Sequence, residues 1–174
     1  MLEKTLMFKC SLPIIRMEEN GISNVYIDKL MKKISCRSFN GTFSIDNIPV
    51  FDDDVFSIII NLSKQNEIGT HFIAVYVLEN KIIYFDSFGN QVNDSSLKKY
   101  LKKYRKSITF SNIQLQNLLS SHCGFFCVAF ILCIENGMSL DDFLKQFYRN
   151  NLHLNDYICV NIIKIFINHM YLRN

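Results

Sequence analysis

The chain is 174 residues long, 49% hydrophobic and 20% charged, with a formal net charge of +3. That length suits one compact domain, residues 1–174, with enough apolar side chains for a real core. Two prolines and six glycines exclude collagen-like and Pro/Gly-rich disordered chains, and so mild a charge makes no case by itself for nucleic-acid binding.

In chain order, residues 25–34 have a helical pattern, with Ile27, Leu30, Met31 and Ile34 on one face. The run Phe39-Asn40-Gly41-Thr42-Phe43 reads as a turn, and Asn47-Ile48-Pro49 as extended or turning chain, because the residue before proline disfavours helix. Residues 55–62 are a strand rich in Ile and Val, and 63–70 a polar loop. Two further β-branched and aromatic runs, 71–78 and 81–86, flank Glu79-Asn80, which is short enough for a hairpin turn. Residues 94–106 predict an amphipathic helix capped by Asp94 or Ser95, with Leu97, Tyr100, Leu101 and Tyr104 as its apolar stripe. A short strand is expected at 107–113. Residues 123–135 are apolar on every side, which predicts a central buried helix ended by Gly137. Two more helices are expected at 141–148 and 157–170. Helices, then strands with an adjacent antiparallel pair, then helices make an α+β fold.

No stretch approaches the about 20 apolar residues of a membrane span; the longest uncharged apolar run is 125–134. Residues 1–15 carry Glu3, Lys4 and Lys9 and lack the apolar core of a signal peptide. The expectation is a soluble protein in a reducing compartment. Its six cysteines, Cys10, Cys36, Cys123, Cys127, Cys133 and Cys159, are then free thiols rather than disulfides. No CxxC pair occurs, and no metal is expected.

Cys123 stands where a polar stretch meets the apolar helix. A thiol at a helix N-terminus sits at the positive end of the dipole, which favours the nucleophilic thiolate. Gly124 leaves room for a substrate carbonyl to approach the backbone. A base is needed, and the histidines are His71, His122, His153 and His169. His71 opens one strand of the hairpin and Asp86 closes the other. With a two-residue turn at Glu79-Asn80, residue 73 faces residue 86, so His71 and Asp86 are diagonal neighbours on one face. A one-residue slip would separate them. An oxyanion needs a donor besides the Cys123 N–H, and Gln114 and Gln116 both lie upstream.

Together these residues resemble the adenovirus-type cysteine proteases (adenain) and their Polinton/Maverick and adintovirus relatives, in a clan shared with the ubiquitin-like-protein proteases. The stretches that carry the likeness are GTHFIAVYV, IIYFDSFG, QNLLSSHCGFFC, the turn-rich FNGTFSIDNIP and LNDYICVN, spread over residues 25–170. The Q-x6-C-G-x-F-C spacing selects Gln116 over Gln114. The resemblance implies a papain-like α+β core of adenain type with permuted catalytic order, a mixed sheet packed against a buried helix carrying the catalytic cysteine. It implies His71 as base, Asp86 as its orienter, Gln116 as oxyanion donor and Cys123 as nucleophile, with Phe72 and Gly124 binding substrate. Phe72 stands where the family usually has tryptophan, and Asp86 where the adenovirus enzymes have glutamate. Residues 87–122 hold no cysteine through which an activator peptide could attach as it does in the adenovirus enzyme.

The implied activity is a thiol endopeptidase that processes viral structural precursors at glycine-containing sites, in the virion or the host nucleus or cytoplasm. DNA and an activating peptide are the cofactors the family suggests; no membrane partner and a monomeric state are expected. Lys98, Lys99, Lys102, Lys103, Arg105 and Lys106 put six positive charges in nine residues. They are either the solvated face of a helix or a stripe for DNA phosphates. A protease for ubiquitin or a ubiquitin-like modifier, and an inactive scaffold of the same fold, are the competing readings.

Overall fold

The computed structural model describes residues 21–172. The expectations for residues 1–15 and for Cys10 lie outside the described residues. Ten elements follow one another: α1 (Asn24–Ile34), β1 (Phe39–Ser44), β2 (Phe56–Asn61), β3 (Phe72–Val77), β4 (Lys81–Phe85), α2 (Ser95–Lys102), β5 (Ser107–Phe110), α3 (Cys123–Glu135), α4 (Leu140–Leu144) and α5 (His153–Tyr171). The strands form one sheet in the order β1-β2-β3-β4-β5. The β2–β3 and β3–β4 pairs are antiparallel, and the outer pairs β1–β2 and β4–β5 are parallel. The fold is therefore α+β with a mixed sheet.

Both faces of the sheet are covered, which is why β2, β3 and β4 read as continuous apolar runs. Ile59, Phe72, Ala74, Tyr76, Ile83 and Phe85 face a core shared with α1, α3, α4 and α5. Ile58, Ile60, Ile73, Val75, Val77, Ile82 and Tyr84 face the other way, against Leu97, Tyr100 and Leu101 of α2. Helix α3 runs through the first core with every residue from Gly124 to Ile134 buried. The Phe85 ring stacks on Phe130 at 4.7 Å, and the Phe143 ring meets Phe85 edge-on at 5.4 Å. Gly137, at φ 86°, ends the helical course as expected.

The expected turn at 39–43 is instead strand β1. Gly41 has φ 132° and lies within a register shift between Phe39 and Thr42. The glycine that suggested a turn thus supplies an irregularity inside a parallel pair. The helix expected over 94–106 ends at Lys102, because Arg105 takes a left-handed φ of 53°. The strand expected over 107–113 stops at Phe110. Helix α4 is confined to Leu140–Leu144 behind its Ser139 cap. Helix α5 begins a turn earlier than its apolar pattern, at His153. Asn155, fully buried, explains that start: its Oδ1 accepts from Tyr148 N, and its Nδ2 donates to the carbonyls of Tyr148 and Leu115. The buried bond to Leu115 O ties the first turn of α5 to the chain segment that carries Gln116, and the other two hold it to Tyr148.

Candidate active site

Four elements finish or begin at one end of the sheet: β2 ends at Asn61, β3 begins at Phe72, β4 ends at Phe85 and α3 begins at Cys123. Between them lies a cleft of about 770 Å³, whose lining includes His71, Phe72, Phe88, Gln116, Ser120 and Cys123.

The hairpin sets the first pair. Leu78 N donates to Lys81 O across the Glu79-Asn80 turn. The register Ala74↔Phe85 and Val77↔Ile82 puts residue 73 opposite residue 86. His71 and Asp86 sit just beyond the strand ends on that diagonal, with His71 Nε2 2.8 Å from Asp86 Oδ1. The Asp86 side chain is 2% exposed and that of His71 13%. The same Oδ1 accepts from Phe88 N at 2.8 Å, which fixes the carboxylate, and the Phe88 ring stacks on the imidazole at 4.8 Å. The backbone of His71 is also held, its carbonyl accepting from Leu62 N.

With Nε2 taken by Asp86, the other ring nitrogen is left for Cys123, which lines the same cleft and adds to the rise in the imidazole pKa. Burial is the largest single influence on the imidazole and pulls its pKa down. The Asp86 hydrogen bond, the Cys123 hydrogen bond and the charges of both partners together outweigh it, and the pKa is pushed up to about 9. At neutral pH the ring is therefore protonated, an imidazolium beside Cys123. The other described thiols lie elsewhere. Burial pushes Cys133 up to about 12 and holds Cys127 and Cys159 well above the ordinary range. Cys36 is pushed up to about 12 by burial and by its hydrogen bond to Glu135.

Cys123 is the first residue of α3, and no side chain caps that helix. Its N–H therefore lies among the first-turn donors that a helix leaves unsatisfied. Gln116 is fully buried. Its Oε1 accepts from Ser87 Oγ at 2.6 Å, and its Nε2 donates to Ser120 O at 2.7 Å. Gln114 does not compete for the site; it donates to the Gln116 backbone carbonyl. Of the other histidines, His122 contacts Ser120 and Asp156, His153 lies beside Asn117, and His169 is exposed on α5.

Phe72 lines the cleft with its body buried against the α3 core. Gly124 does not line it. A Cβ there would lie 2.7 Å from Ile22 Cγ1 and 3.3 Å from Ile27 Cδ1, so this glycine serves the packing of α1 and its approach against α3 rather than a substrate carbonyl. Ile22 and Ile27 are both buried and have little room to yield. Gly124→Ala is expected to cost about 2 kcal/mol and lower Tm by several degrees; a thermal melt unchanged from the parent would refute the packing role. Phe88, Ser87 and Ser120 belong to the site although sequence reasoning did not single them out. The one signal for the first two was the DSFG string itself.

The basic residues lie elsewhere. Lys98, Lys99, Lys102, Lys103 and Arg105 are exposed on α2 and the turn after it, while Lys106 is half-buried and donates to Asp54 O. Helix α2 packs on the sheet face opposite α3. These charges therefore do not converge on the cleft. Among the described residues no group of three or more His, Cys, Asp or Glu side chains could hold a metal ion, and no helix is long and apolar enough to cross a membrane.

No family model matches the chain, and no curated protein matches it by sequence. Solved structures do match. The ASFV pS273R protease aligns with 83% of this chain and 69% of its own at 16% identity, with a TM-score of 0.57. The SUMO protease Ulp1 aligns at 16% identity over 84% of this chain and 79% of its own, with a TM-score of 0.48. ChlaDub1 from Chlamydia trachomatis aligns at 13% identity over 85% and 80%, with a TM-score of 0.49. The first of these likenesses gives the chain the fold of a protease, with the buried helix that begins at Cys123 packed on its mixed sheet.

Proposed function

We propose that the protein is a thiol endopeptidase that processes precursor polypeptides of a virus or virus-like element at glycine-containing sites. The observation that carries this reading is His71 bridging Asp86 and Cys123 in one cleft that Gln116 also lines. The fold shared with a viral protease and the resemblance of the His71, Asp86, Gln116 and Cys123 stretches to the adenain family support it.

His71 holds the proton of Cys123, and the thiolate attacks the scissile carbonyl carbon. The carbonyl oxygen becomes an oxyanion that accepts from Cys123 N–H and Gln116 Nε2. Collapse expels the amine, which takes the proton from His71, and leaves an acyl thioester on Cys123. His71 then removes a proton from water, which attacks the thioester. The carboxylic acid departs and Cys123 regains its proton. Asp86 keeps the ring oriented and stabilises the imidazolium throughout.

The test is a cleavage panel read by product mass. One arm holds capsid-like peptides with glycine before the scissile bond, and the other holds ubiquitin-type fusions. Peptide cleavage supports precursor processing. Cleavage confined to the fusions would replace it with modifier removal, and cleavage of neither would overturn the peptidase reading. We also propose that the α2 stripe contacts DNA phosphates. Running the panel with duplex DNA, and with Lys98, Lys99, Lys102 and Lys103 changed to Ala, tests that: stimulation that is salt-sensitive and lost in the variant is expected, and unaltered binding by the variant would sink it.

A further inference from the structure

We propose that Ser87 is a positioning residue that sets which end of the Gln116 amide faces the cleft. The proposal rests on the reading of Gln116 as the oxyanion donor. A primary amide has a donating and an accepting end of nearly equal size. Turned by half a rotation, Gln116 would aim a carbonyl dipole at the developing negative charge instead of an N–H.

Two contacts prevent that rotation, and their chemistry agrees. Ser120 O lies 2.7 Å from the amide. A backbone carbonyl can only accept, so the atom facing it is nitrogen. Ser87 Oγ lies 2.6 Å from the other end and donates its single proton to Oε1. The amide nitrogen has two protons. One goes to Ser120 O, and the second meets nothing closer than Ser120 Oγ at 3.4 Å. That second proton is the one the oxyanion can take.

Ser87 holds the same residue through its backbone. Its carbonyl accepts from Leu115 N at 2.8 Å and from Gln116 N at 3.0 Å. Both Ser87 and Gln116 are fully buried, so water does not substitute for the hydroxyl. Ser87 also lies between Asp86, which bonds to His71, and Phe88, which stacks on it. One tripeptide after β4 thus positions both the base and the oxyanion donor, and a turn closed by Gly89 N on Asp86 O holds it.

The experiment compares Ser87→Ala, Gln116→Ala and the double variant with the parent enzyme. Two rates are read on each: hydrolysis of the best peptide from the cleavage panel, and alkylation of Cys123 by iodoacetamide. Alkylation displaces iodide and forms no oxyanion, so it reports the nucleophile and its base alone. Ser87→Ala is expected to lower kcat roughly 10- to 100-fold with KM nearly unchanged, less than loss of the donor itself. Alkylation should stay within about twofold of the parent, and the double variant should be no slower than Gln116→Ala alone. An unchanged kcat in Ser87→Ala overturns the proposal. So does a parallel fall in kcat and alkylation, since that marks a general loss of structure. Additive losses in the double variant also overturn it, because Ser87 would then act independently of Gln116. A parent enzyme that is alkylated rapidly at Cys123 yet cleaves no peptide or fusion overturns instead the peptidase reading on which the proposal rests, and the two failures are thereby told apart.

Discussion

Limiting iodoacetamide at neutral pH is expected to modify Cys123 ahead of Cys36, Cys127, Cys133 and Cys159, and Cys123→Ala is expected to abolish peptide hydrolysis. The two results have one cause. Alkylation needs the thiolate, and a thiol whose pKa is raised offers almost none near neutrality. Burial has raised all four of the other thiols. Cys123 lines the cleft beside the imidazolium of His71, and a neighbouring cation is what favours a thiolate in general. His71→Ala should therefore slow Cys123 labelling by roughly tenfold or more. Hydrolysis suffers more, because the same ring must also protonate the leaving amine. Cys123→Ala and His71→Ala should each lower kcat by about 10⁴-fold or more, and losing both should cost little beyond losing either. Labelling that is uniform across the described cysteines would remove the basis for a nucleophile at this position. Peptide mass mapping after a single limiting dose reads the selectivity directly.

The parts of this site that depend on local pattern were legible in the sequence. The two-residue turn at Glu79-Asn80 fixes a strict alternation on either side, so the diagonal between His71 and Asp86 followed from counting. The all-round apolar character of residues 123–135 announced a buried helix with a cysteine at its start. What was hidden depends on contacts between distant residues. Phe88 stacks on a ring 17 positions earlier, and Ser87 bonds a side chain 29 positions later. Neither contact leaves a periodic trace. Gly124 and Gly41 show a different limit. Glycine signals close approach or unusual backbone, but the sequence does not say to what. At Gly124 the neighbours are Ile22 and Ile27, and at Gly41 the freedom is used inside a strand. Helix ends misled for a similar reason. Apolar periodicity placed the start of α5 too late, because buried hydrogen bonds to Asn155 override a polar first turn.

Asp86→Asn is the second change with a large expected effect, and it separates charge from shape. Asparagine nearly matches aspartate in volume, and its oxygen can still accept from Phe88 N, so the turn after β4 should persist. The negative charge beside His71 disappears. Burial, the strongest pull on that ring, then meets less opposition, and the imidazole pKa falls from about 9 toward or below its ordinary 6.5. At neutral pH the imidazolium is depleted, and kcat/KM should drop roughly 10²- to 10⁴-fold. The basic limb of the parent pH profile, set by deprotonation of His71, should move to lower pH in the variant. Stability should follow with a definite sign. A histidine pKa raised in the folded state favours folding fully below the unfolded value of 6.5, and that contribution is lost as pH rises through about 9. The whole shift is worth on the order of 3 kcal/mol, shared between Asp86 and Cys123. The parent should therefore be more stable than Asp86→Asn near about pH 6, with the gap narrowing by about pH 10. Thermal melts of both proteins across that range measure the gap. A difference that stays constant would mean that Asp86 holds His71 by shape alone, and the imidazolium–thiolate account of Cys123 activation would fall with it.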